Sequence, residues 1–162
     1  MQFIEGLEQV DTLKALSAYT FECLKAYDAL SFSYAHSPPV GAKDFNHPAF
    51  VDHQGISDEW IRNYCARRYQ KSDPIVKIAL SKCRPFLWGD IRKLKQISTV
   101  EDDYLKALTN AGFENGVCIP VFGPRGRCGY FGIEFDVNHA VPDEQKDARV
   151  AVVLPICSSH TL

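Results

Sequence analysis

No apolar run in this 162-residue chain approaches the length of a membrane span, and the N-terminus Met1-Gln2-Phe3-Ile4-Glu5 lacks the basic start of a signal peptide. The expectation is a cytoplasmic protein with no membrane partner. Charge of one sign is missing too: 18 Lys and Arg stand against 20 Asp and Glu, a net −2. The basic residues that do concentrate, from Arg62 through Arg67, Arg68, Lys71, Lys77, Lys82, Arg84, Arg92 and Lys93 to Lys95, scatter around helices and read as solvated faces, so this chain alone is not expected to bind DNA. The six cysteines, at 23, 65, 83, 118, 128 and 157, form no Cys-x2-Cys pair, and the five histidines form no ligand cluster. Free buried thiols are expected, with no disulfide, metal or cofactor. Repeats and low-complexity tracts are also absent. What the chain does have is 46% apolar residues, enough for one core and one domain spanning 1–162.

Helices and strands alternate along the chain. Asp11 reads as the N-cap of a helix striped with Leu13, Leu16, Thr20, Leu24 and Tyr27. A strand follows over 29–36, where bulky Leu30, Phe32 and Tyr34 alternate with small Ser31, Ser33 and Ala35. The bulky face should pack on the first helix, and the small face should border a cavity. After a loop beginning at Ser37-Pro38-Pro39, a short strand is expected around Phe50-Val51. Ser57 can cap the next helix, and another starts at Pro74 with Asp73 as its N-cap. Ser98 and Glu101 form a capping box ahead of a helix that Gly112 ends. Strands over 117–122 and 130–136 join through Gly123-Pro124-Arg125-Gly126, and Pro142-Asp143 opens a last helix that Pro155 kinks or ends. These elements imply an α/β/α sandwich with a largely antiparallel sheet of about five strands, its pocket between one sheet face and the central helices.

Both tryptophans lie in one stretch: Trp60, Tyr64, Tyr69, Asp73-Pro74, then Trp88 closing Phe86-Leu87-Trp88. With Gly112, Phe113 and Gly116 beyond it, the Trp-x3-Tyr-x8-Asp-Pro spacing resembles the autoinducer-binding domain of LuxR-type quorum-sensing regulators over nearly the whole chain. The resemblance implies a GAF- or PAS-like fold and a ligand, N-acyl-homoserine lactone, with a lactone head, an amide and a fatty tail. It gives Asp73 the amide N–H and Trp60 the lactone carbonyl. Tyr64, one helical turn beyond Trp60, would serve the acyl carbonyl or flank the tail, and Trp88 would pack on the lactone ring. This chemistry is sound, because a carboxylate is the strongest acceptor for a buried N–H and an indole N–H is purely a donor. The candidate set also includes Ile56, Ile75, Ser33, Tyr104, Phe113 and Gly132. The resemblance further implies a homodimer, with DNA bound only through a C-terminal helix-turn-helix module that this sequence does not contain. Residue by residue, the plainer readings are capping for Asp73 and core packing for Trp60, Tyr64 and Trp88.

Two positions depart from the family pattern. Ile56 stands where the family usually has a tyrosine that donates to the acyl carbonyl, and Gly132 stands where many members have a strand serine or threonine. With Tyr130 on the same strand face, a short, branched or aryl acyl group is expected in place of a long straight one. The alternative is an interaction protein of the same fold that ignores the signal and pairs with a full-length regulator to block it. An enzyme using Cys65 or Cys118 with His53 or His139 has no linking motif, and no catalytic activity is expected.

Overall fold

The computed structural model describes residue 6 and residues 10–37, 50–82, 84–123 and 128–136. The expected loop after Ser37, the turn through 124–127, the helix from Pro142, and Cys83, His139 and Cys157 lie outside the described residues. Helix α1 (Leu13–Lys25) leads into β1 (Ala29–Ser37) and β2 (Phe50–Gln54). Helix α2 (Asp58–Ala66), a 3-10 turn (Tyr69–Lys71) and α3 (Pro74–Lys82) follow. Then come β3 (Phe86–Leu87), a 3-10 turn (Trp88–Asp90), α4 (Ile91–Leu94), α5 (Thr99–Asn110), β4 (Gly116–Phe122) and β5 (Cys128–Phe135). The five strands form one sheet in the order β2-β1-β5-β4-β3, and every neighbouring pair is antiparallel. The fifth strand is the Phe86-Leu87 pair, too short for its alternation to be read from sequence.

Strand alternation divides the core in two. On one side, Phe32, Val117, Ile119, Ile133 and Phe135 meet Phe21 and Leu24 of α1. On the other, Ala35, Phe86, Cys118 and Tyr130 meet Tyr64, Ile75, Ile78, Tyr104 and Leu108 of the central helices. The small face of β1 therefore looks toward the helices that carry the Trp60–Trp88 motif, as its Ser-Ser-Ala pattern implies. Leu30 breaks the expected bulky stripe. The β1–β5 register shifts between Ala29 and Ser31, so Ala29 enters the core and Leu30 is left 50% exposed.

Helix α1 is capped by Thr12, whose side chain accepts from Ala15 N–H at 3.1 Å; the expected cap, Asp11, lies one residue too early. Its buried stripe is Ser17, Thr20, Phe21 and Leu24, while Leu13 and Tyr27 face solvent. The two hydroxyl residues near its centre carry the face that the leucine spacing alone places a fraction of a turn away. Ser57 caps α2 as expected. Gly112 ends α5 at φ +95°, with Phe113 N–H returning to Leu108 C=O and Gly112 N–H to Thr109 C=O. That closure requires a left-handed residue, which glycine adopts without steric cost, and it aims Phe113 back at the helices.

Candidate functional site

Asp73 sits at the start of α3, fully buried between α2, α3 and α5. Its Oδ2 accepts from the hydroxyls of Tyr64 and Tyr104, both at 3.0 Å, and its Oδ1 accepts from Ile75 N–H at 2.8 Å. Capping and side-chain recognition are thus one carboxylate's two edges. Burial pushes its carboxyl up to about 6, against the opposing pull of the hydrogen bonds from Ile75, Tyr104 and Tyr64. Burial, then the neighbouring Asp73, holds the phenols of Tyr64, Tyr104 and Tyr130 well above their ordinary range, so all three are neutral hydroxyls. Tyr130 is buried in the same cluster.

Aromatic rings enclose this carboxylate. Tyr69 lies 5.1 Å from Tyr104 and 6.0 Å from Tyr64 between ring centroids, both edge to face. Trp60 stacks on Tyr69 at 6.0 Å and leans on Phe113 at 5.3 Å. Helical spacing places Trp60 and Tyr64 on one side of α2, and the Gly112 closure brings Phe113 to meet them.

The sheet below carries small residues in register. Ser33 pairs with Gly132, Gly132 with Cys118, and Gly116 with Glu134. A Cβ at Gly116 would stand 2.7 Å from the Trp88 ring, and one at Gly132 would stand 2.9 Å from Ser33 Oγ and 3.7 Å from Trp88 Cζ2. The two glycines are the bed on which Trp88 lies. Trp88 Nε1, two bonds from Cζ2, is buried with no hydrogen-bond partner among the described residues. An orphaned buried donor costs about 1–3 kcal/mol, and the Ser33 hydroxyl borders the same Gly132 position.

The sequence model described as the autoinducer binding domain matches residues 12–158. The chain belongs to the autoinducer-binding domain family of LuxR-type regulators. No curated protein matches the sequence. Among solved structures, Escherichia coli SdiA superposes on the autoinducer-binding domain with a TM-score of 0.72 at 13% identity, over 98% of this chain and 64% of SdiA. This chain thus spans less than two thirds of SdiA. CepR2 from Burkholderia cenocepacia, described as an N-acylhomoserine lactone dependent LuxR family transcription factor, gives 0.69 at 17% identity, over 98% of this chain and 85% of that one. A GAF domain from a Coxiella burnetii phosphoenolpyruvate-protein phosphotransferase gives 0.58 at 13% identity, over 97% of this chain and 87% of that one. At these identities the likeness is one of fold, and it agrees with the GAF-like sandwich expected.

The autoinducer-binding domain gathers most of the candidate residues into one place. Tyr64, Asp73, Ile75 and Tyr104 are buried together, Trp60 and Phe113 close one side, and Ser33, Gly132 and Trp88 meet on the sheet. Ile56 is half-buried in the link between β2 and α2. Tyr64 and Tyr104 both point at Asp73. Sequence reasoning left out Tyr69, although it stands inside the motif itself, because no regular spacing ties a 3-10 turn to either helix. Tyr130, placed by alternation on the same strand face as Gly132, is buried on the helix-facing side of the sheet in one cluster with Tyr64 and Tyr104. Among the described cysteines, all four are free but only Cys118 is buried, and Cys65 is exposed on α2. Burial pushes the Cys118 thiol far up, which suits packing and not nucleophilic attack. Among the described residues no helix is long and apolar enough to cross a membrane.

Glu101 braces this arrangement from behind. Its side chain completes the Ser98 capping box of α5 and also accepts from Lys77 of α3 at 2.6 Å and Lys95 at 2.8 Å, so one carboxylate ties the helix that Asp73 opens to the helix bearing Tyr104. Burial alone would raise its carboxyl; the bonds from Lys77, Lys95 and Ser98 outweigh this and lower it to about 2. Two of the basic residues expected on solvated faces are thereby committed to structure.

Proposed function

We propose that this chain is the signal-sensing domain of a LuxR-type regulator and binds an N-acyl-homoserine lactone against Asp73. The observation that carries this reading is the buried carboxylate ringed by hydroxyls and aromatics, an acceptor site too polar for a core that only packs. An incoming amide N–H displaces one tyrosine hydroxyl from Oδ2, and the released hydroxyl turns to a ligand oxygen. The amide carbonyl, pointing the opposite way, lies over Gly132 between Ser33 Oγ and Trp88 Nε1. Trp60, Tyr69 and Phe113 wall the lactone, and Ile56 and Ile75 add apolar surface. The hydroxyl missing from β5 at Gly132 is thus supplied across the strand pair by Ser33.

Sensing follows from linkage. A ligand that binds only the folded domain stabilises it by RT ln(1 + [L]/Kd), about 2.7 kcal/mol at a hundredfold excess over Kd. In this reading ligand-stabilised domains pair as homodimers in the cytoplasm, and DNA is bound by a helix-turn-helix module outside this sequence. A thermal-shift series over lactones of varied acyl group is expected to raise Tm by about 5–10 °C for the best ligand. A well-folded protein that no lactone stabilises points instead to a signal-independent partner that blocks a full-length regulator, the reading that Ile56 favours.

The position of the hydroxyl can be tested directly. Ser33→Ala should weaken the best lactone by about 1 kcal/mol, roughly fivefold, and Gly132→Ser alone should weaken it further by crowding Ser33 Oγ. The double variant moves the hydroxyl to the other strand without the clash, and it should recover most of the affinity. Quenching of Trp60 and Trp88, the chain's two tryptophans, reports binding without a label. Additive losses in the double variant exclude Ser33 as the replacement donor.

A further inference from the structure

The helix-facing side of the sheet holds a second buried carboxyl that the recognition of head and amide does not use. Glu134 follows Gly132 by two residues on β5, opposite Gly116 and therefore beside the Trp88 ring. It is buried and accepts from Ser31 Oγ at 2.6 Å. Strand geometry places its Cα about 7 Å from that of Gly132, in the direction away from Tyr130 and Asp73. Ser31 and Ser33 follow the same path on β1. An acyl chain whose carbonyl lies over Gly132 and whose N–H faces Asp73 must run along this path, so within its first few carbons it meets the Ser31–Glu134 pair. A plain methylene chain there would strip water from a carboxyl and return nothing.

Resting on the lactone-sensing reading above, we propose that Glu134 and Ser31 form a second polar anchor that selects acyl groups carrying a hydroxyl. A hydroxyl suits this position because it donates to a carboxylate and also accepts from a carboxylic acid or from Ser31. Burial raises the Glu134 carboxyl above its ordinary range, the bond from Ser31 opposing this, so a partner able to play both parts is the better match.

The test uses matched ligands that differ by one oxygen: N-hexanoyl- against N-(3-hydroxyhexanoyl)-homoserine lactone, and N-cinnamoyl- against N-(4-hydroxycinnamoyl)-homoserine lactone. The two pairs place the hydroxyl at different reach. The parent chain should bind the hydroxylated member of at least one pair about tenfold more tightly, as expected for a hydrogen bond to a charged group. Glu134→Gln should shrink that preference and Glu134→Leu should abolish it, while both variants bind the plain member at least as tightly as the parent does, which also reports that they fold. Equal binding within both pairs, or a preference that survives in Glu134→Leu, overturns the anchor and leaves the sensor reading standing. No binding of any of the four probes overturns both.

Discussion

Replacing Asp73 by Asn is expected to weaken lactone binding about tenfold or more at pH 7.5 while leaving the fold intact. The exchange is nearly isosteric and retains one carbonyl-type acceptor, but the ligand's amide N–H loses a charged partner, an interaction of about 1.5–3 kcal/mol. The pH profile separates this from a packing effect. Because the Asp73 carboxyl is pushed up to about 6, it is ionised at pH 7.5 and mostly protonated at pH 5, where its affinity for an N–H donor should fall about tenfold per pH unit. The Asn variant has no such titration, so the two proteins converge as pH drops below 6. Stability runs the other way. A carboxyl raised in the folded state from its ordinary 3.8 binds a proton more tightly folded than unfolded, so its contribution is full below 3.8 and is lost as pH rises through about 6. The unliganded Asn variant should therefore melt at least as high as the parent at pH 7.5. Isothermal titration at pH 5 and pH 7.5, with melting curves alongside, decides the matter; a flat profile for the parent removes the carboxylate from recognition.

Glu101→Ala should be the most damaging single change to stability outside the apolar core. It removes the Glu101 half of the Ser98 capping box on α5, a hydrogen bond worth about 0.5–1.5 kcal/mol, and leaves Lys77 and Lys95 without their buried partner. Both lysines are partly exposed and can hydrate, so the combined loss is set at about 2–4 kcal/mol, below what two wholly buried charges would give. For a domain of this size that lowers Tm by roughly 5–15 °C. The sign with pH is opposite to that of Asp73. A carboxyl lowered from 4.5 to about 2 in the folded state stabilises fully above 4.5, and that contribution fades as pH falls toward 2. Parent and variant should accordingly differ most near neutrality and approach each other below pH 3. Glu101→Gln keeps an acceptor for Ser98 N–H and should fall between them. Indistinguishable melting curves at pH 7 for parent and Glu101→Ala would show that the lysine pairs are replaced by water at no cost.

Much of this architecture was legible before any coordinates. The Ser57 cap, the start of α3 at Pro74, the Ser98–Glu101 box and the Gly112 stop are local chemistry, decided by residues within a turn of one another. The alternation of small and bulky residues in β1 announced which face would look toward the helices. Trp60, Tyr64, Asp73 and Trp88 could be singled out as one group because their spacing is a family pattern. The misreadings have a common origin. Leu30 is exposed because of a register shift between β1 and β5, and Tyr69 went unselected because only the packed helices bring its ring against Tyr64 and Tyr104. Neither is a property of the segment in which the residue stands.

Composition, caps, periodicity and one spaced motif determined the class of fold, the family and most of the residues that gather at the site. Only the tertiary structure decided what those residues do to one another. It placed Tyr64 and Tyr104 on the same carboxylate oxygen, set Ser33 across from the glycine that lacks a hydroxyl, laid Trp88 over two glycines with its N–H unpaired among the described residues, and buried Glu134 with Ser31 farther along the same face. The reason is physical. Capping and strand alternation act between neighbours along the chain, whereas a hydrogen bond between residues 31 and 134, and the shift in proton affinity that burial imposes, exist only once the sheet has brought distant strands into register.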